Sequence, residues 1–277
     1  MSSNPRHILS ISGGKDSTAL AIFMKQNYPE IEMEYVFCDT GEELPETYEY
    51  LEKIETYLGK KVTHLRSDLS WDEWLEKFSG YLPSARSRWC TSNLKIIPFE
   101  KFVGDSEVIS YIGIRADENR EGYISTKTNI TARYPFKEHG INKEDVMQIL
   151  HDSGLGVPAY YEWRTRSGCY FCFFQRKYEW LGLKERHPEL FEKAKKYETI
   201  NADGSAQNFT WVQNTTLDEI VKYPEKIRKN HKKFETRVKE KKKKSSTRLL
   251  DVFSDELDFE DALSMEDDSE GCLVCHI

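Results

Sequence analysis

A short apolar strand, His7 to Ser12, runs into Ser12-Gly13-Gly14-Lys15-Asp16-Ser17 and then into a helix from Ser17 to Asn27. This order limits what the N-terminal part of the chain can become. Two adjacent glycines at a strand-to-helix turn let the backbone approach a ligand closely and take dihedrals closed to other residues. The free N–H groups and dipole of the helix start favour an anion there. Ser12 and Ser17 add hydroxyl donors, and Lys15 adds a charge able to follow phosphates. Asp16 either helps hold a divalent metal or orients the loop. The spacing is not the Gly-x-x-x-x-Gly-Lys-Ser/Thr pattern that grips a β/γ-phosphate. A glycine turn without any ligand is the competing reading.

Strand and helix patterns alternate after the loop. Met33 to Cys38 and Lys61 to Arg66 read as strands, as does Glu107 to Arg115, and Pro45 to Leu58 carries apolar residues at helical spacing behind a first-turn proline. The alternation predicts a doubly wound, mostly parallel α/β sheet, whose ligands bind beyond the carboxyl ends of the strands. Ser12, Asp39 and Arg115 would emerge at that edge. Helical patterns follow at Lys143 to Asp152, Arg176 to Arg186 and Pro188 to Thr199, and apolar periodicity fades after Val221. The expected division is an α/β nucleotide-binding domain at 1–142, a helical region at 143–220, and a flexible charged tail at 221–277.

Charge is distributed unevenly along the chain. Residues 221–249 carry 13 Lys/Arg against 3 Glu, and residues 251–270 carry 10 Asp/Glu with no Lys/Arg, so the net charge of −7 conceals both blocks. The basic block suits nucleic-acid phosphates or an ordinary solvated face paired with the acidic block. No apolar run approaches the roughly 18 residues that span a bilayer, and the N-terminus lacks a secretory apolar stretch. A cytoplasmic location without membrane partners is the resulting expectation.

Ser12 to Ser17 resembles the loop of the PP-loop, or adenine nucleotide α-hydrolase, superfamily. That resemblance implies its fold, with ATP split between the α- and β-phosphates in the presence of Mg²⁺. Cys38-Asp39-Thr40-Gly41 with Pro45-Glu46-Thr47 resembles the PAPS-reductase branch, and Gly113-Ile114-Arg115-Ala116-Asp117-Glu118 resembles its second motif. These matches imply a nucleotide site that includes Asp39, Thr40 and Gly41. They also place Arg115 near the phosphates, with Arg120 as a helper. Arg88-Trp89-Cys90-Thr91 followed by Leu94-Lys95 is similar to a segment of the DndC and SspD-type proteins of DNA phosphorothioation. Cluster-bearing assimilatory reductases have two adjacent cysteines here, whereas this chain has only Cys90. The resemblance extends over roughly residues 7–200. It implies sulfur transfer to DNA, with a cysteine desulfurase as sulfur donor and other phosphorothioation subunits as partners. A PAPS or APS reductase producing sulfite, and an iron–sulfur scaffold that binds DNA or a desulfurase, are the alternatives.

Cys169 and Cys172 have the spacing with which two thiolates reach one metal. With Cys90 they form three candidate ligands for an iron–sulfur cluster, of the 4Fe-4S kind by resemblance, and Cys275 or Cys272 is the candidate fourth. A structural zinc held by Cys169, Cys172, Cys272 and Cys275 is the competing assignment. Cys38, inside an apolar strand, reads as core. The terminal Cys272/Cys275-His276 group is similar in place to the mobile nucleophile of sulfonucleotide reductases, although its spacing differs. Tyr160, Tyr161, Trp163, Arg164 and Arg166 form an aromatic and basic group suited either to stacking on a nucleotide or to the core.

Overall fold

The computed structural model describes residues 4–119, 125, 127–200 and 206–243. The chain divides into two compact units, with the division at Cys172/Phe173.

In the first unit the chain runs β1 (Arg6–Ser10), α1 (Lys15–Asn27), β2 (Met33–Cys38), α2 (Pro45–Leu58), β3 (Val62–Leu65) and α3 (Trp71–Lys77). A helical stretch follows, α4 (Trp89–Thr91), a π turn (Ser92–Ile96) and α5 (Ile97–Val103). Then come β4 (Val108–Tyr111), β5 (Ile130–Arg133), α6 (Pro135–Glu138), α7 (Lys143–Asp152) and a 3₁₀ turn (Ala159–Glu162). The five strands form one parallel sheet in the order β3-β2-β1-β4-β5. Successive residues Ile8, Leu9 and Ser10 of β1 are all buried, as happens only when both faces of a strand are covered. The chain winds outward from β1 through β2 and β3, then returns to place β4 on the other side of β1. The crevice at this reversal is where an open α/β sheet takes its ligand, and the turns after β1 and β4 both open there.

Local chemistry sets the helix ends. Pro45 begins α2, and Gly59 ends it in the left-handed conformation at φ 69°. Asn142 and Asp145 form a reciprocal capping box at α7. Val146 and Leu150 of α7 enter the same core as Leu20, Ile22 and Met24 of α1 and Leu51 and Ile54 of α2. Each such side chain, fully buried, contributes roughly 1.5–3 kcal/mol. The expected boundary at 142/143 therefore separates residues that share one core: α7 packs on α1, and the unit continues to Cys172.

The second unit contains α8 (Lys177–Arg186), α9 (Pro188–Lys196), an antiparallel pair β6 (Thr199–Ile200) and β7 (Ala206–Phe209), α10 (Leu217–Lys222) and α11 (Pro224–Lys243). Trp180, Phe191, Trp211, Leu217 and Ile220 are buried in it, and Trp211 Nε1 donates to the Ala194 carbonyl at 2.9 Å. Residues 224–243 are not the tail expected from their composition. Ile227, His231 and Phe234 recur along one side of α11 at helical spacing, while Lys226, Lys229, Lys232, Lys233 and Arg237 are exposed. His231 stacks on Tyr178 of α8 with ring centroids 3.9 Å apart, and Arg176 lies over the Phe234 ring. The tail beyond Lys243, with Cys272 and Cys275, lies outside the described residues, as does Arg120.

Glu198 in this unit accepts from the backbone N–H groups of Trp211 (3.2 Å) and Leu217 (2.9 Å). Burial pushes its pKa from 4.5 up to about 7. The folded state therefore binds the extra proton between those values, and stability falls as pH rises through that window. Urea unfolding from pH 4.5 to 7 should show this decline, and Glu198→Gln should flatten it. An equally steep decline in the variant would assign it to other groups.

Among the described residues, no helix is long and apolar enough to cross a membrane.

Candidate functional site

The site is built on the loop between β1 and α1. Gly13 has φ 71°, and Gly14 opens α1 without any side-chain cap, which leaves the helix-start N–H groups to other acceptors. A Cβ on Gly13 would lie 2.6 Å from Thr47 Cγ2, and one on Gly14 would lie 2.6 Å from Ser167 Oγ. A side chain at either position would force Thr47 or Ser167 to shift, and the positive φ of Gly13 favours glycine there as well. Ser17 Oγ accepts from the Ser12 amide at 3.1 Å and meets the Ser12 hydroxyl at 3.1 Å. The three serine hydroxyls of Ser12, Ser17 and Ser167 lie in one chain of contacts, with Ser12 Oγ 3.2 Å from Ser167 Oγ.

Charge converges from the other side of the sheet reversal. Arg115, just beyond β4, is 3% exposed, and its Nη1 lies 3.0 Å from Asp16 Oδ1 and 2.8 Å from Glu118 Oε1. Its Nε donates to Asp117 at 2.9 Å. Lys15 Nζ takes the second oxygen of Asp16 at 2.7 Å. Burial alone would lower the Arg115 pKa, but Asp16, Asp117 and Glu118 outweigh it and raise the value further, so the guanidinium stays charged. Gly113 makes this approach possible, because a Cβ there would lie 3.2 Å from the Asp16 carbonyl carbon and oxygen. The loop thus has Lys15 and Arg115 at a helix start, with Asp16 holding both.

Asp39, at the end of β2, is fully enclosed. It accepts from Tyr48 (2.8 Å), the Gly41 amide (2.9 Å), His64 (3.1 Å) and Arg66 (2.6 and 2.9 Å). Burial pushes its pKa up, but the hydrogen bonds from His64, Arg66, Gly41 and Tyr48 prevail and hold the carboxyl below the usual aspartate value. Asp39 therefore ties β2, α2 and β3 together. Thr40 Oγ1 donates to Glu43 at 3.0 Å and lies 3.2 Å from Cys169 Sγ. Gly41 turns the chain at φ 76°.

Cys38 and Cys169 lie at this turn. Cys169 and Cys172 form one tight turn, with the Cys172 amide donating to the Cys169 carbonyl at 3.0 Å. Burial pushes the Cys169 thiol well above its usual pKa, and the Cys38 thiol up to about 12. An aromatic stack joins the segments: Trp71 lies 4.9 Å from Trp89 and 4.3 Å from Phe171, and Phe78 stacks on Trp89 at 4.8 Å. Trp89 thereby packs the Cys90 segment and the Cys169–Cys172 turn against one support. Cys38, Cys90, Cys169 and Cys172 form no disulfide. Yet among the described residues no group of three or more His, Cys, Asp or Glu side chains is placed to hold a metal ion. Cys275, the candidate fourth ligand, lies outside the described residues. Cys90, Cys169 and Cys172 are free thiols, the ligand type of an iron–sulfur cluster, which spans more space than a single ion.

Of the aromatic and basic group before the cysteines, Tyr160, Trp163 and Arg164 are buried. Tyr160 donates to the Gly13 carbonyl at 2.7 Å, and Arg164 donates to the Gly168 and Cys169 carbonyls at 2.9 and 2.7 Å. These residues brace the loop and the cysteine turn, so a stacking surface is not their arrangement here. The Tyr161 hydroxyl accepts from the Lys15 amide at 3.2 Å. Ser167 and Gly113 complete the site. The former lies in no phosphate-loop motif, and the latter showed only as part of the Arg115 motif.

A parallel sheet that opens at its reversal onto a glycine and serine loop with buried basic partners defines a nucleotide-type α/β protein. The phosphoadenosine phosphosulfate reductase domain model matches residues 6–172, and the chain belongs to that family. An uncharacterized protein of Methanocaldococcus jannaschii is 29% identical over 201 residues, covering 67% of this chain and 40% of that protein. A second from the same organism is 28% identical, covering 66% and 45% respectively. The chain thus spans less than half the length of these two curated relatives. The uncharacterized nin region protein of Escherichia phage lambda is 24% identical, covering 68% of this chain and 72% of that protein. Among solved structures, the PAPS reductase of Candida auris in its phosphate complex aligns with a TM-score of 0.47 at 14% identity, covering 60% of this chain and 82% of that one. The U34-tRNA thiolase NcsA of Methanococcus maripaludis, with its 4Fe-4S cluster, aligns with a TM-score of 0.43 at 14% identity, covering 70% and 72%.

Proposed function

We propose that the chain is an ATP pyrophosphatase that activates a nucleic-acid phosphate for sulfur insertion, in DNA phosphorothioate modification. The observation that carries this reading is the convergence of Lys15 and Arg115 on Asp16 at the start of α1, beside the Ser12 and Ser17 hydroxyls. Such a loop offers fixed donors to the phosphates of a MgATP substrate, where charge develops on the leaving pyrophosphate. A phosphate oxygen of the acceptor attacks the α-phosphorus, pyrophosphate leaves, and the acceptor oxygen becomes adenylylated. A persulfide then attacks the acceptor phosphorus through its terminal sulfur, AMP departs with the activated oxygen, and a thiol reductant cleaves the S–S bond to leave the phosphorothioate and a disulfide. DNA as acceptor is supported by the likeness of Arg88-Trp89-Cys90-Thr91 to the DndC and SspD-type segment. A cysteine desulfurase as sulfur donor and other phosphorothioation subunits belong to the same proposal, as does a cytoplasmic setting.

Incubation with MgATP and duplex DNA is expected to release pyrophosphate, and Ser17→Ala should reduce release about tenfold or more, as loss of a loop donor does. Unchanged release in Ser17→Ala would refute the loop chemistry. Sulfite formed from PAPS with reduced thioredoxin, without ATP turnover, would identify a reductase instead.

A further inference from the structure

The segment at 160–170 touches both the phosphate loop and the turn after β2. Ser167, 9% exposed, places its hydroxyl 3.2 Å from Ser12 Oγ and fills the space that a Cβ on Gly14 would need. The Tyr161 hydroxyl occupies the Lys15 amide, a donor that an anion at this helix start would use. Ser167 is joined to Cys169 through Gly168, whose φ of 135° excludes an ordinary side chain. Arg164, 2% exposed, grips the carbonyls of both Gly168 and Cys169. Beyond them the Tyr170 amide donates to the Glu42 carbonyl at 2.9 Å, and Thr40 Oγ1 meets Cys169 Sγ at 3.2 Å. Residues 167–170 therefore connect the loop after β1 to the turn after β2.

We propose that Ser167 is a positioning residue that transmits occupancy of the phosphate loop to the Cys169–Cys172 turn. The inference rests on reading Ser12 to Ser17 as a nucleotide-phosphate loop, and it goes further by making the cysteine turn respond to that loop. A phosphate accepts charge-assisted hydrogen bonds about twice as strong as neutral ones. It displaces the Tyr161 phenol from the Lys15 amide and draws the Ser12, Ser17 and Ser167 hydroxyls to itself. Because Arg164 holds the next two carbonyls, movement at Ser167 reaches Cys169 instead of dissipating in a loose loop.

The test is hydrogen–deuterium exchange on the full chain with and without saturating α,β-methylene-ATP and Mg²⁺, with binding measured on the same samples by calorimetry. Bound nucleotide is expected to slow exchange at 166–172 about fivefold, the effect of one added hydrogen bond. Ser167→Ala should keep the nucleotide-induced protection at 12–18 and lose the nucleotide-induced response at 166–172, each read against the variant's own unliganded exchange. Binding without a response at 166–172, or the same response in Ser167→Ala, would overturn the proposal alone. Failure of the unsubstituted chain to bind the nucleotide would overturn the phosphate-loop reading and this inference together.

Discussion

Arg115→Ala is expected to reduce pyrophosphate release by about 10²–10³-fold and to lower stability by ~3–5 kcal/mol. Both effects have one origin. The guanidinium is 3% exposed and neutralises Asp16 and Glu118, which are 5% and 7% exposed. Its removal takes a buried cation from both carboxylates, and Asp16 then leans on Lys15. On the proposed chemistry it also takes from the loop a fixed positive charge that would face the departing pyrophosphate. Arg115→Lys retains a charge but cannot reproduce separate contacts from Nε and Nη1, so it should recover part of the stability and little of the rate. Pyrophosphate assays and urea unfolding on the two variants check this. A fully active Arg115→Ala would remove Arg115 from the site.

Gly13→Ala should be nearly as damaging for a purely steric reason. An alanine at φ 71° carries a left-handed cost of roughly 1–2 kcal/mol, and its Cβ would come 2.6 Å from Thr47 Cγ2. Relieving that overlap in a packed interior adds about 1–3 kcal/mol. Gly41 is the matched control, with φ 76° and nothing within 4 Å of where its Cβ would stand. The difference in urea midpoint between Gly13→Ala and Gly41→Ala therefore isolates the clash. Equal losses would show that Thr47 simply yields.

Much of the fold was legible because each signal was local. Pro45 and the apolar spacing to Leu58 marked α2 to the residue, and Met33 to Cys38 marked β2. Both rest on neighbours within one turn or one strand. The phosphate loop was legible for the same reason. Less visible were features made by distant contacts. Short β5 has its pattern hidden by half-exposed and exposed side chains, and α11 presents only Ile227, His231 and Phe234 among many lysines. Asp39 was singled out by its place at a strand end, but its hydrogen bonds depend on Tyr48, His64 and Arg66 meeting it. Trp89 belonged to a recognised segment, yet its stack with Trp71 and Phe78 is a property of the folded chain. Ser167 had no local signal at all, since its partner Ser12 is 155 residues away.

That separation has a consequence for how the protein is made. At about 5–20 residues per second, on the order of ten seconds or more pass between synthesis of the glycine loop and synthesis of the serine that meets it. During this interval neither Ser167 nor Tyr161 is present to meet the loop. The contacts of the Ser167 hydroxyl with Ser12 and of the Tyr161 hydroxyl with the Lys15 amide therefore belong to the last stage of building this unit, and the loop takes its final form only when its most distant part has been made.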